Sequence, residues 1–115
     1  MSVTIFHNAR CSNSRGALAL IREAGIEPQV IDYLKTPPDR ETLLQLVRAT
    51  GGSVRALMRE KEAVFAELGL GASEVTDDAL VDALLAHPVL LNRPIVVSPK
   101  GTRLCRPPEQ VRELL

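Results

Sequence analysis

Three short segments near the start of the chain restrict its fold more than anything after them. Val3-Thr4-Ile5-Phe6 is an apolar run of strand character. Ser14 to Ala24 has the periodicity of an amphipathic helix, and Pro28-Gln29-Val30-Ile31-Asp32-Tyr33 reads as a second strand. Ala17, Leu18, Ile21 and the stem of Arg22 share one helical face, and Gly25 is a natural helix stop. This strand–helix–strand spacing fits a right-handed crossover between parallel strands, which places the chain among α/β folds.

The remaining pattern fills in the order of elements. Thr36-Pro37-Pro38-Asp39 is helix-start punctuation: proline suits the first turn, and Thr36 or Asp39 can cap it. Leu43, Leu44, Leu46 and Val47 give an apolar face that runs to Gly51-Gly52. Ser53 can cap a short helix through Met58, and Ala63 to Leu68 reads as another. Thr76-Asp77-Asp78 opens a helix carrying Leu80, Leu84 and Leu85, which ends before Pro88. Pro94 to Val97 and Thr102 to Cys105 are strands joined by the Ser98–Gly101 turn. Pro107-Pro108-Glu109 then opens a last helix through Leu115. The order is βαβ, a helical segment, then ββα. It predicts an α/β fold with a thioredoxin-like mixed sheet and a helical insertion between the second and third strands. With 115 residues, and no linker or repeat, one domain over 1–115 is expected, large enough for a core without staples.

Cys11 lies in His7-Asn8-Ala9-Arg10-Cys11-Ser12-Asn13-Ser14-Arg15, where the first strand gives way to the helix. Unpaired N–H groups and the positive end of the dipole favour an anion at such a place. A thiol there loses its proton more easily, and the thiolate is the reactive form. The same N–H groups can hold an incoming oxyanion, so the segment points to thiol chemistry on an anionic substrate. Cys11-Ser12-Asn13-Ser14 has the spacing of a Cys-x-x-Cys motif with serine in the second place. Ser14 cannot close a disulfide, so an oxidised Cys11 needs an external thiol. The Ser14 hydroxyl can donate to the thiolate or cap the helix. His7 as an imidazolium would lower the thiol pKa, although a strand-end histidine is often only packed or solvated. Arg15 faces either the site or solvent. Arg59, Arg93 and Arg106 are further candidates, since guanidinium forks suit a tetrahedral oxyanion. Pro94 follows Arg93, and a trans bond is expected there from sequence. Cys105 reads as a packed hairpin residue.

Other classes of function have little support. Lys+Arg 14 balance Asp+Glu 14, which speaks against nonspecific nucleic-acid binding. No run approaches the roughly 18 apolar residues of a membrane helix, and no export signal is visible. Two cysteines without an export signal indicate a reducing, cytoplasmic setting, with a Cys11–Cys105 disulfide not expected. Metal-ligand spacing and a phosphate-binding glycine loop are both missing, so neither a metal nor a bound cofactor is expected.

The chain resembles the glutaredoxin-linked arsenate reductases of the thioredoxin-like class. The match runs through Ile5-Phe6-His7-Asn8 with Cys11 and Ser14-Arg15, then Tyr33-Leu34-Lys35-Thr36-Pro37-Pro38. It continues through Val54-Arg55-Ala56-Leu57-Met58-Arg59, Glu67-Leu68-Gly69-Leu70 and His87-Pro88. Asn92-Arg93-Pro94-Ile95-Val96-Val97 and Leu104-Cys105-Arg106-Pro107 complete it. The resemblance implies that Cys11 attacks arsenate, that Arg59, Arg93 and Arg106 hold the oxyanion, and that His7 and Ser14 tune the thiolate. It also implies a cis bond at Pro94, with glutathione as co-substrate and glutaredoxin as partner. Two features depart from the pattern. Relatives often have proline where this chain has Ala9, which would leave the cysteine loop less stiff, and some carry a longer C-terminal tail. Arg10 beside the loop can alter the local potential.

Two other readings carry discriminating features. Relatives of similar fold act as redox-sensing regulators that bind RNA polymerase, but those that sense through a vicinal pair need the cysteine that Ser14 replaces. A general thiol–disulfide protein would need Cys11 and not the arginines.

Overall fold

The structure is a computed structural model, described here for residues 2–115. Its internal contacts divide it into two compact units. One joins the segment up to Thr36 with Arg93–Leu115, and the other is Pro37–Asn92.

The first unit is built on four strands: β1 (Thr4–His7), β2 (Gln29–Asp32), β3 (Ile95–Ser98) and β4 (Gly101–Leu104), in the order β2-β1-β3-β4. β1 runs parallel to β2, with Ile5 opposite Val30, and antiparallel to β3, with Ile5 opposite Val96. β3 and β4 form the expected hairpin, closed by Ser98 opposite Gly101. The mixed sheet with a helical insertion therefore stands as expected.

Helix α1 (Ser12–Glu23) starts two residues earlier than its apolar periodicity indicates, because Cys11 itself is the N-cap, with φ −91° and ψ 122°. Ala17 and Ile21 pack with Val3, Ile5, Val96, Cys105, Val111 and Leu114 into one core cluster. α1 ends where Gly25 takes φ +81°, with Gly25 N–H donating to the Arg22 carbonyl and Ile26 N–H to the Ile21 carbonyl. That left-handed residue is the reason for glycine at this stop. Across the layer, a Cβ on Gly16 would come within 3.1 Å of Pro108 Cγ, so α1 approaches the C-terminal segment closely there.

That segment differs from expectation. Pro108–Leu114 is a 3₁₀ helix and not an α-helix. It buries only Val111 and Leu114, a spacing of three that matches the 3₁₀ repeat.

The second unit holds α2 (Arg40–Thr50), α3 (Ala63–Glu67) and α4 (Asp77–Ala86), with 3₁₀ turns at Arg55–Leu57 and Pro88–Leu90. Asp39 is the cap of α2, accepting from Thr42 N–H at 2.8 Å, which decides between the two candidates in Thr36–Asp39. Thr76 caps α4 by accepting from Ala79 N–H at 3.2 Å, a contact worth about 1 kcal/mol. Leu80, Val81 and Leu84 form its buried face. A Met58–Leu91 bridge, with Asn92 N–H donating to the Leu57 carbonyl, ties the end of this unit to its first 3₁₀ turn.

Candidate active site

The loop His7–Cys11 is held by a short chain of hydrogen bonds. Asn8, only 5% exposed, sends its backbone N–H to Ser14 Oγ at 3.0 Å, and its side-chain Nδ2 donates to the Tyr33 hydroxyl at 3.3 Å. Its Oδ1 accepts from Arg10 N–H at 2.9 Å, and its carbonyl accepts from Cys11 N–H at 3.0 Å. From the helix side, Arg15 Nη1 donates to the Ala9 carbonyl at 2.8 Å. The loop around Ala9 is thus fixed by hydrogen bonds on both sides of that residue.

Ser14 is fully buried, and its hydroxyl lies 2.7 Å from His7 Nδ1. Ser14 Oγ thus accepts from Asn8 N–H and pairs with His7 Nδ1, the donor and acceptor roles in that pair being set by the ring tautomer. His7 is held below its ordinary value, chiefly by burial. Asp32 acts the other way, and Arg22 and Arg15 reinforce the lowering. A neutral imidazole is therefore favoured at neutral pH. The hydroxyl of Ser14 joins His7 to the cysteine loop, and no side-chain hydrogen bond caps α1.

Cys11 is half-buried and carries a free thiol. Burial pushes this thiol up. The backbone N–H groups of Ser14 and Asn13, with the Arg93 and Arg106 side chains, outweigh that effect and hold it below its ordinary value. The stabilising charge thus comes from two guanidinium groups and a helix N-terminus, and not from an imidazolium at His7. Arg106 Nη1 lies 3.9 Å from Cys11 Sγ and donates to the Arg93 carbonyl at 2.8 Å. With its amide oxygen turned toward the guanidinium, Asn13 accepts from Arg106 Nη1 and Nη2 at 3.3 and 3.2 Å. Arg93 itself is only 8% exposed. The alkylation rate of Cys11 by iodoacetamide, followed against pH, is expected to rise with a midpoint below that of an ordinary thiol, about 8.5. That midpoint moves upward in Arg106→Ala; the same midpoint in both proteins would remove Arg106 from the thiolate's environment.

The structure brings Cys11, Ser14, His7, Arg93 and Arg106 together in one unit. Arg59 belongs to the other unit, where its Nε donates to Glu62 Oε1 at 3.0 Å and its N–H donates to the Leu90 carbonyl. The Arg93–Pro94 peptide is cis, as the resemblance implies, which corrects the trans expectation from local sequence: an X-Pro bond has only a weak trans preference, and the dipeptide does not reveal the exception. The Arg106–Pro107 bond is also cis, again without a local signal in the sequence. Cys105 is fully buried, and burial raises its thiol to about 11, so it is not a second nucleophile. Among the described residues, no group of three or more His, Cys, Asp or Glu side chains is placed to hold a metal, and no helix is long and apolar enough to cross a membrane.

Sequence reasoning missed Asn8, Asn13 and Tyr33. Asn8 stands in the cysteine segment, but its hub role depends on Ser14 and on Tyr33, 25 positions away. A buried tyrosine at the end of a strand is the one available signal, since its hydroxyl needs a partner.

Comparison with known proteins agrees along the whole chain. The model of the ArsC family matches residues 6–114. An arsenate reductase of Rhizobium meliloti (strain 1021) is 56% identical over 115 residues, covering 100% of this chain and 82% of the relative. An arsenate reductase of Escherichia coli (strain K12) is 53% identical, covering 99% and 81%. Among solved structures, an arsenate reductase from Vibrio cholerae superposes with a TM-score of 0.96 at 52% identity, covering 100% of this chain and 98% of that one.

Proposed function

The chain belongs to the ArsC family, and from that premise we propose that it reduces arsenate to arsenite through the Cys11 thiolate. The observation that carries this reading is the Arg106 guanidinium set against the Cys11 sulfur, with Arg93 beside it. A thiolate and an arsenate repel one another, so a site that joins them must supply positive charge at the point of attack.

Cys11 Sγ attacks arsenic, the S–As bond forms, and one arsenate oxygen leaves as water after taking up protons. Glutathione then attacks Cys11 Sγ. A disulfide forms, the S–As bond breaks, and its electron pair stays on arsenic. As(V) becomes As(III), and two thiols become one disulfide, which balances the two electrons. Glutaredoxin clears the mixed disulfide and returns the thiol. In this scheme Arg93 and Arg106 bind the oxyanion and the charge that grows on it, and Arg59 joins them by resemblance. Ser14 and His7 position the cysteine loop, because the hydroxyl of Ser14 binds both Asn8 N–H and the His7 ring. Pro94 is structural. A reducing cytoplasm suits a free catalytic thiol, and glutathione and glutaredoxin are the partners proposed there.

The test is arsenite production by the purified protein with arsenate, glutathione and glutaredoxin, leaving out one at a time. Turnover that needs all three supports the scheme. Turnover sustained without glutathione or glutaredoxin removes the external-thiol route, and no turnover removes the reductase reading.

A further inference from the structure

Asn13 stands where its residue type does little for the helix. Cys11 is the N-cap of α1, so Asn13 is the second helical residue. Asparagine is a weak helix former that favours the cap itself, where its side chain can bond a free N–H. No side-chain hydrogen bond caps α1. The amide reaches to the hairpin side instead. Turned toward the guanidinium, its Oδ1 accepts from Arg106 Nη1 at 3.3 Å and from Nη2 at 3.2 Å. The backbone N–H of the same residue is one of the groups that hold the Cys11 thiol down. One residue thus meets the nucleophile through its main chain and a cation beside it through its side chain.

Arg106 needs such an anchor. It is half-buried, and its main chain is fixed just after β4. Cys105 N–H donates to the Pro94 carbonyl at 2.9 Å, and Arg106 N–H to the Leu104 carbonyl at 3.2 Å. Beyond that point a long, flexible stem carries the guanidinium, and its order depends on what the head group meets. Nη1 faces the Arg93 carbonyl at 2.8 Å and Cys11 Sγ at 3.9 Å. The Arg93 carbonyl alone would fix one point of the fork and let it swing about that point. Asn13 takes both Nη groups and so fixes the plane. Nε–H keeps no protein acceptor among the described residues and stays open to an oxyanion. The acceptor is also neutral. A carboxylate at this place would bind Arg106 more strongly, but it would cancel charge that the thiolate and an oxyanion both require.

We propose that Asn13 is a positioning residue: its neutral amide oxygen holds the Arg106 guanidinium against Cys11 without cancelling its positive charge. The proposal deepens the reductase reading. Its kinetic arm rests on that reading, and its thiol measurement does not.

A double-mutant cycle read through Cys11 alkylation tests the assignment. Asn13→Ala is expected to raise the pH midpoint by about half a pH unit, a loss of about threefold in thiolate below the midpoint. In an Arg106→Ala background the same substitution should leave the midpoint where it is, because the amide then has nothing to hold. Asn13→Asp keeps an acceptor and adds a charge, so its midpoint should lie above that of Asn13→Ala. Both substitutions suit the first turn of a helix, so circular dichroism should show a retained fold. An asparagine with only a structural role would move neither midpoint. An unchanged midpoint in Asn13→Ala overturns the proposal, and so does an equal rise with and without Arg106. A midpoint in Asn13→Asp at or below that of the unaltered protein also overturns it. With arsenate, kcat/KM should fall about tenfold in Asn13→Ala and further in Asn13→Asp. If the unaltered protein releases no arsenite, the reductase reading fails, and the alkylation cycle still decides the role of Asn13.

Discussion

Cys11→Ser is expected to lose arsenite production by at least about a thousandfold, to the level of the blank. The substitution keeps the shape of the N-cap, and serine is a good residue there, so the fold is retained. What disappears is chemical. A serine hydroxyl stays protonated where the thiol is held below its ordinary value by the Ser14 and Asn13 N–H groups and by Arg93 and Arg106. Even an arsenate ester formed through the substituted oxygen could not pass its electron pair to arsenic, because no disulfide can form. Circular dichroism separates loss of fold from loss of chemistry. Residual activity well above the blank, in a folded variant, would sink the assignment of Cys11 as nucleophile.

The second large effect is expected from Arg106→Lys, which keeps the charge. Catalytic efficiency with arsenate should fall about a hundredfold, or roughly 2.7 kcal/mol in the transition state. Arg106 spreads one planar fork over three partners: Cys11 Sγ, the Arg93 carbonyl and the Asn13 amide. A lysine has a single nitrogen and cannot hold that spread. The same argument applies to Arg93→Lys, where the guanidinium is almost wholly buried. The readout is kcat/KM for arsenate, together with the pH midpoint of Cys11 alkylation. Activity close to that of the unaltered protein would show that charge alone suffices and that fork geometry does not matter.

Much of this fold is legible in the sequence because the signals are local. The β1–α1–β2 unit is punctuated by Gly25, and the hairpin by Ser98–Gly101, so each can be read from a window of a few residues. The same holds for Cys11, whose position at a helix mouth follows from where the apolar periodicity begins. Legibility ends where the deciding interaction is distant. The 3₁₀ form of Pro108–Leu114 reflects the packing of Val111 and Leu114 into a core shared with α1, not a propensity in those seven residues. The cis bond at Pro94 is not legible in the dipeptide itself, since X-Pro pairs look alike in either isomer, and only the family resemblance indicates it. Asn8 shows the limit most clearly. It stands in plain view three residues before Cys11, but its importance lies in bonds to Ser14 and Tyr33 that no spacing rule predicts.

The two thiols of this chain report on different events. Cys11 stands at a helix mouth, while Cys105 is sealed against α1 and the C-terminal 3₁₀ segment. A thiolate-seeking reagent marks the first without disturbing the fold, and it reaches the second only when that layer parts. The lag between the two labels is then a clock for local opening under native conditions, with Cys11 as its internal zero. Oxidation of the two thiols follows the same order: the folded chain offers Cys11 first, and that thiol is the one an external thiol restores.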